Sequence, residues 1–279
     1  MKNNIMKKGN KKNKLGLCLG GGGARGYAVY PIIKKFEELN LKFDYVSGCS
    51  VGSVIGAYYC LYGEVDSLYE KLVSLSGRDW ANLISLNNPK KAFLKMRKIR
   101  KFFVDNFFGA KTFKDLKIPL VVVATNLNTK RAEYFSKGLL IDAVMASVSI
   151  PGVFKPYKIK SKSYVDGGIK DNLPVDILFE KGMNKVIGVD VNTEISRVSS
   201  QIVYDSMIDV LLNCFYIMME DAALKDKHKE NLFLFEPEFD KKIGDVLKFH
   251  QIKENEKRGK NELKEKEDDF LLWLKKNNV

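Results

Sequence analysis

Ser50 stands in Gly48-Cys49-Ser50-Val51-Gly52, a G-x-S-x-G string that follows an apolar run and opens a helical one. A serine placed in this way can serve as a nucleophile for acyl transfer. Its flanking glycines allow a sharp strand-to-helix turn on which any larger neighbour would collide with the backbone and cover the hydroxyl. The string also arises by chance, so its surroundings decide. A serine needs a base, yet the chain holds only two histidines, His228 and His250, both set among lysines and read as solvated helix surface. The better candidate is Asp166, which ends the strand-like Ser163-Tyr164-Val165 and precedes Gly167-Gly168. Aspartate before two glycines is often a plain turn. Here Asn172 and Pro174 follow closely, and they can fix the loop and keep Asp166 pointed inward.

A second glycine cluster adds to this chemistry. Leu15 to Leu19 reads as an apolar strand that runs into Gly20-Gly21-Gly22-Gly23-Ala24-Arg25-Gly26, and Tyr27 to Leu39 then has helical spacing. Phe43 to Ser47 reads as the next strand and Val51 to Leu61 as the next helix. A right-handed crossover makes two such strands parallel, so the glycine loop and the serine turn emerge at the same sheet edge. Acyl transfer needs backbone N–H donors for the oxyanion, and glycines let the main chain come close at positive φ. The same loop satisfies the dinucleotide pattern G-x-G-x-x-G. That reading calls for an acid at the end of the second strand, whereas Asp44 stands at its start. With no G-K-[ST] in the loop, a P-loop is excluded; a ligand-free structural turn is the remaining alternative.

Together these pieces resemble the patatin-like phospholipase family. The resemblance rests on Gly21 to Gly26 with Arg25, the turn around Ser50, and Asp166-Gly167-Gly168. It extends to Ala146-Ser147-Val148-Ser149-Ile150-Pro151 with Phe154 and Pro156, and to Asn172-Leu173-Pro174-Val175. It implies a three-layer α/β/α fold and a serine–aspartate dyad without histidine. In that dyad Ser50 is the nucleophile and Asp166 the general base, with backbone amides around Gly21, Gly22, Gly23 and Arg25 forming the oxyanion hole. It further implies a phospholipid or other lipid ester as substrate, with no metal and no cofactor. A carboxylate at its ordinary pKa of about 4 accepts a proton poorly from an alcohol at neutral pH. Asp166 is therefore expected in a partly apolar pocket, with the helix from Val51 favouring developing negative charge on Ser50.

The remaining sequence sets the frame. Ile118–Thr125, Lys185–Val191 and Asn231–Phe235 read as further strands, Leu139–Ser149 and Ile202–Leu224 as helices, and Ile252–Lys276 as a charged helix with an apolar patch at Phe270, Leu271, Trp273 and Leu274. This alternation predicts an α/β fold with a mainly parallel central sheet and helices on both faces. Residues 1–14 read as a basic flexible tail and 15–279 as one domain. Cys18, Cys49, Cys60 and Cys214 lie in apolar segments without paired spacing and read as reduced core residues of a cytoplasmic protein. The start is too short and too interrupted for a signal sequence or membrane span.

The formal net charge of +13 is spread along the chain as lysine and accompanies no nucleic-acid-binding motif, so no specific nucleic-acid partner is expected. One stretch, Lys90 to Phe108, interleaves lysine and arginine with phenylalanines at helical spacing. It reads either as a core-facing helix with a lysine-rich exterior or as a lid that docks on anionic lipid through Phe102 and Phe103. A non-lipid carboxylesterase, a nucleotide-binding protein and a non-catalytic lipid-binding scaffold are the alternative functions.

Overall fold

The computed structural model describes residues 13–75, 78–80, 92–192, 210, 214, 228, 230–239 and 247–279. The basic stretch of residues 1–14 therefore lies outside the described residues except for Asn13 and Lys14, as does the helix expected over Ile202–Leu224 except for Val210 and Cys214.

At the centre, β1 (Leu15–Leu19) is flanked by parallel β2 (Tyr45–Cys49) and β7 (Lys185–Val189). Beyond β2 lies parallel β3 (Leu120–Asn126), and beyond β7 lies parallel β8 (Leu232–Phe235). Antiparallel strands complete one side of the sheet: β4 (Arg131–Phe135) and β6 (Lys162–Asp166) on β3, and β5 (Tyr157–Ile159) on β6. Leu15, Leu17 and Leu19 enter a large core on one face, and Cys18 a smaller one on the other. Period-2 alternation puts successive β1 side chains on opposite faces, and both faces are covered, so the strand reads as unbroken apolar sequence.

The helices follow from apolar stripes. After a 3-10 turn at Gly23–Ala28, α1 (Val29–Glu38) buries Val29, Ile32, Ile33 and Phe36. Next come α2 (Val51–Tyr62), α3 (Asp66–Val73), α4 (Ala92–Phe103) and α5 (Leu140–Ser147). The short α6 (Asp176–Glu180) covers the smaller core through Leu178, and α7 (Ile252–Lys276) closes the order. Phe270 of α7 packs its ring among Phe36, Phe233 and Phe235.

Several boundaries differ from the sequence reading by one or two residues, and two of them lie next to the serine turn and the glycine loop. β2 runs from Tyr45 to Cys49, two residues later than expected, because Asp44 caps β1: its Oδ2 accepts from Leu15 N–H at 2.9 Å and its own N–H donates to Leu15 O at 2.8 Å. The helix expected from Tyr27 starts as a 3-10 turn and becomes α-helical only at Val29. Two environments differ as well. Cys214 is exposed rather than in the core, while Cys18, Cys49 and Cys60 are buried thiols. His228 is no solvated surface group: Nε2 lies 2.5 Å from Asp176 Oδ1 and the ring stacks on Phe179.

Candidate active site

The strand register brings Ser50 and Asp166 together. β4 occupies one edge of β3 over Val122–Asn126, so β2 and β6 must share the other edge. There β2 ends with Cys49 opposite Val123, and β6 arrives from the opposite direction with Asp166 opposite Ala124. The two strands meet head-on along β3. Ser50, the next residue after β2, thus turns beside the end of β6.

Ser50 adopts φ 49° and ψ −123°, a strained backbone for a residue with a side chain. The surroundings hold it there. Its N–H donates to Ser147 Oγ at 2.8 Å, and its carbonyl accepts from Ser53 Oγ at 2.6 Å and Ser53 N–H at 2.9 Å. The flanking glycines are dictated by contact: a Cβ at Gly48 would lie 2.6 Å from Gly52 O, and one at Gly52 would lie 2.1 Å from Leu19 O. Both clashes are with backbone. Gly52→Ala is therefore expected to destabilise the fold by about 3 kcal/mol, although alanine gains about 1 kcal/mol in helix propensity. An unchanged urea midpoint would show that β1 and α2 can separate freely.

Asp166 is buried, at 1 % exposure. Its Oδ1 accepts from Gly168 N–H at 2.9 Å and faces Cys49 Sγ at 3.8 Å. Oδ2 is buried and makes no hydrogen bond among the described residues. Burial pushes the Asp166 carboxyl up to about 7, against the opposing pull of the Gly168 N–H and then the Ser50 hydroxyl. Ser50 thus stands near enough to favour the charged carboxylate, although no hydrogen bond of normal geometry joins the two. Such pairs often tighten only around a bound substrate. Gly167 is held to glycine by Val123 O, which a Cβ would approach to 2.5 Å. Nearby Asp171 is also pushed up, to about 6, chiefly by burial, with the Tyr134 hydroxyl opposing.

The glycine loop lies across from the serine turn, where a Cβ at Gly21 would come within 3.0 Å of Ser50 Cβ. Of the four residues expected to supply oxyanion donors, two have engaged amides: Gly21 N–H donates to Asn172 O at 3.2 Å, and Arg25 N–H closes the turn onto Gly22 O at 3.1 Å. Among the described residues, the Gly22 and Gly23 amides are drawn into no such loop hydrogen bond. Gly23 has φ 56° and lines the same cavity as Ser50. The Arg25 guanidinium is buried over the Phe239 ring, 4.9 Å from its centroid. Asn172, expected to fix the loop that carries Asp166, here reaches the glycine loop: its Nδ2 donates to Gly21 O at 3.4 Å.

Ser50 opens onto a cavity enclosing about 1080 Å³ of space continuous with solvent, walled mainly by apolar side chains such as Val54, Ile55, Leu68 and Phe154. Phe102 and Phe103 line it too, both half-buried. Their helix α4 buries Met96 and Ile99 and exposes Arg97, Lys98 and Lys101. It is at once a core-packed helix and a cavity wall with a cationic exterior. Neither histidine is among the described residues lining this cavity. No helix among the described residues is long and apolar enough to cross a membrane.

Four supporting residues carry no role in the sequence reading. Ser147 lies inside a stretch already singled out there. Asn192 Nδ2 donates to Gly21 O at 2.6 Å. From α7, buried Asn255 donates through Nδ2 to Ala24 O at 3.0 Å, and Gly259 lets the helices touch, since a Cβ there would lie 2.1 Å from Ala28 O. Nothing in a strongly charged helix signals these last contacts.

The chain is 33% identical over 182 residues to lysophospholipase nte1 of Aspergillus niger, covering 64% of this chain and 12% of that protein. It is 31% identical over 185 residues to an uncharacterized NTE family protein of Mycobacterium bovis, covering 66% of this chain and 51% of that protein. The chain thus spans about an eighth of the fungal relative and half of the bacterial one. Among solved structures, VipD from Legionella pneumophila aligns with a TM-score of 0.47 and 13% identity over 91% of this chain and 67% of that one. The Patatin-like phospholipase family model matches residues 17–179, more than half of the chain, from within β1 through the glycine loop, the serine turn and the Asp166 loop. The chain belongs to the patatin-like phospholipase family.

Proposed function

We propose that this chain hydrolyses carboxylic esters of lipids, in the manner of a phospholipase A or lysophospholipase, through Ser50 and Asp166. One observation carries the reading: a serine on a strained turn opens into an apolar cavity beside a buried carboxyl whose Oδ2 has no protein partner among the described residues. Family membership and the lysophospholipase relatives support the lipid ester as substrate.

The chemistry follows from the atoms at hand. Ser50 Oγ attacks the ester carbon while Asp166 takes the hydroxyl proton. The carbonyl oxygen becomes an oxyanion facing the Gly22 and Gly23 amides, and removing such a donor typically costs about 3 kcal/mol in the barrier. Collapse expels the alcohol, which leaves with the proton held by Asp166, and the acyl group stays on Ser50. Water then gives its proton to Asp166 and attacks the acyl carbon, which releases the fatty acid and returns the proton to Ser50. A carboxyl raised to about 7 by burial is matched to both transfers near neutral pH. α2 begins at Val51, so its positive end also faces the reacting oxygen.

Labelling with a long-chain fluorophosphonate, mapped by mass spectrometry, tests this directly: the adduct is expected on Ser50, together with fatty acid release from phospholipid micelles. Release from short soluble esters alone would favour a non-lipid carboxylesterase, against which the apolar cavity argues. The nucleotide-binding alternative has lost its acid, because Asp44 caps the opposite end of β1 from the glycine loop.

We further assign α4 to contact with an anionic lipid surface. Arg97, Lys98 and Lys101 point outward beside the half-buried Phe102 and Phe103, a pairing of cations with apolar anchors suited to the membrane interface. Phe102→Ser with Phe103→Ser is expected to lower sedimentation with phosphatidylglycerol vesicles by about tenfold. Unchanged sedimentation would remove α4 from the contact.

A further inference from the structure

Three tyrosines line the cavity that opens at Ser50: Tyr27, Tyr30 and Tyr69. Two have partners. The Tyr30 hydroxyl donates to Asp66 Oδ1 at 2.9 Å, and the Tyr69 hydroxyl donates to Glu256. Tyr27 differs: it is 6 % exposed, and its hydroxyl is buried with no hydrogen bond among the described residues. Trp80, also a cavity-lining residue, has a buried Nε1–H without an acceptor among them as well. A buried polar group left unpaired costs about 1–3 kcal/mol, and most such groups in native proteins have a partner or a reason. Tyr27 and Trp80 thus belong to the wall of an otherwise apolar cavity, and each carries a donor atom that is covered in the unliganded fold. An occupant that satisfies them must bring acceptor oxygens.

Position narrows the role. Tyr27 lies on the same 3-10 turn as Gly23, four residues further along, and both belong to the cavity wall. Burial raises the Tyr27 pKa, so the hydroxyl stays protonated and able to donate. An oxygen close to the scissile ester, yet separate from it, suits a donor so placed.

Resting on the lipid hydrolase reading above, we propose that Tyr27 is a specificity-determining residue that donates a hydrogen bond to a second oxygen of the lipid, distinct from the scissile ester. That chemistry selects substrates with oxygen near the ester, as the glycerol backbone provides, over plain alkyl esters of the same chain length. A site that hydrogen-bonds a substrate oxygen discriminates more strongly against its absence than an apolar pocket does against a missing methylene.

The test compares wild type and Tyr27→Phe on 1-palmitoyl-lysophosphatidylcholine, on its analogue lacking the glycerol 2-oxygen, and on ethyl esters of palmitic and hydroxypalmitic acid. Tyr27→Phe is expected to lower kcat/KM about tenfold on the lipid carrying the recognised oxygen, with the loss confined to that lipid. Loss on the lysophospholipid but not on its deoxy analogue assigns the glycerol oxygen; loss on the hydroxy ester alone assigns one on the acyl chain. Equal loss on all four esters, or loss on none, overturns the proposal. The unliganded fold supplies a second readout. Because the hydroxyl has no partner among the described residues, Tyr27→Phe is expected to leave the melting temperature unchanged or raised, and a marked drop would mean the hydroxyl has a structural partner. Fluorophosphonate titration of each protein separates the two levels: if Ser50 does not label, the hydrolase reading fails, whereas labelling with a uniform Tyr27→Phe effect sinks only this inference.

Discussion

Alanine at Ser50 will abolish fluorophosphonate labelling and lower kcat on a lipid ester by about 10⁵-fold, the scale seen when a nucleophilic serine is removed and only binding and oxyanion contacts persist. The fold should survive, because the substitution removes one oxygen while the contacts that hold the turn use other atoms: Ser50 N–H to Ser147, and Ser50 O to Ser53. The neighbouring thiol offers no substitute. Cys49 is fully buried, and burial raises its pKa well above the ordinary thiol value. Persistent turnover by Ser50→Ala at more than a few per cent of wild type would move the nucleophile elsewhere and leave the strained turn without a catalytic purpose.

Asparagine in place of Asp166 should cost about 10⁴-fold in kcat and change two pH profiles in ways a structural role could not. The first concerns activity. The base must be ionised to accept the serine proton, so kcat/KM of wild type should rise with pH through the carboxyl's value of about 7. An acid limb near 4 would mean that some other, solvated group governs the reaction. The second concerns stability. Folding raises the Asp166 pKa from 3.8 to about 7. The carboxyl is therefore accommodated without penalty below about pH 4, and stability declines as pH rises through 7, by on the order of 4 kcal/mol across that window. Asp171, raised to about 6, contributes in the same direction. The side-chain amide introduced by Asp166→Asn keeps a carbonyl oxygen to accept from Gly168 N–H and cannot ionise. This variant should thus melt higher than wild type at pH 8 and much the same at pH 4. A variant less stable at pH 8 would contradict the burial on which the base depends.

Much of this site was legible before any coordinates because its constraints are local. Gly48 and Gly52 are fixed by clashes within one strand-turn-helix unit, and the apolar runs of β1 and β3 announce buried parallel strands. Asp166 was legible for the same reason, since two glycines follow it directly. Long-range contacts were hidden. The meeting of β2 and β6 along one edge of β3 depends on the β5–β6 hairpin, whose Tyr157–Ile159 strand is too short and mixed to read from composition. Asn255 and Gly259 stand in a helix dominated by lysine and glutamate, where a buried amide looks like surface. His228 misled in the opposite sense: flanking lysines suggested solvent, whereas Asp176 and Phe179 enclose it. In the glycine loop, side-chain order could not show which amides the turn itself consumes.

The clasp between α7 and the glycine loop bears on timing. Ala24 receives its side-chain anchor from Asn255, which a ribosome adds 231 residues later. Ser50 and Asp166 are both synthesised well before that anchor exists. A nascent chain therefore carries Ser50 and Asp166 while Ala24 still lacks its bracing, and the glycine loop gains that support only once translation has delivered the far helix.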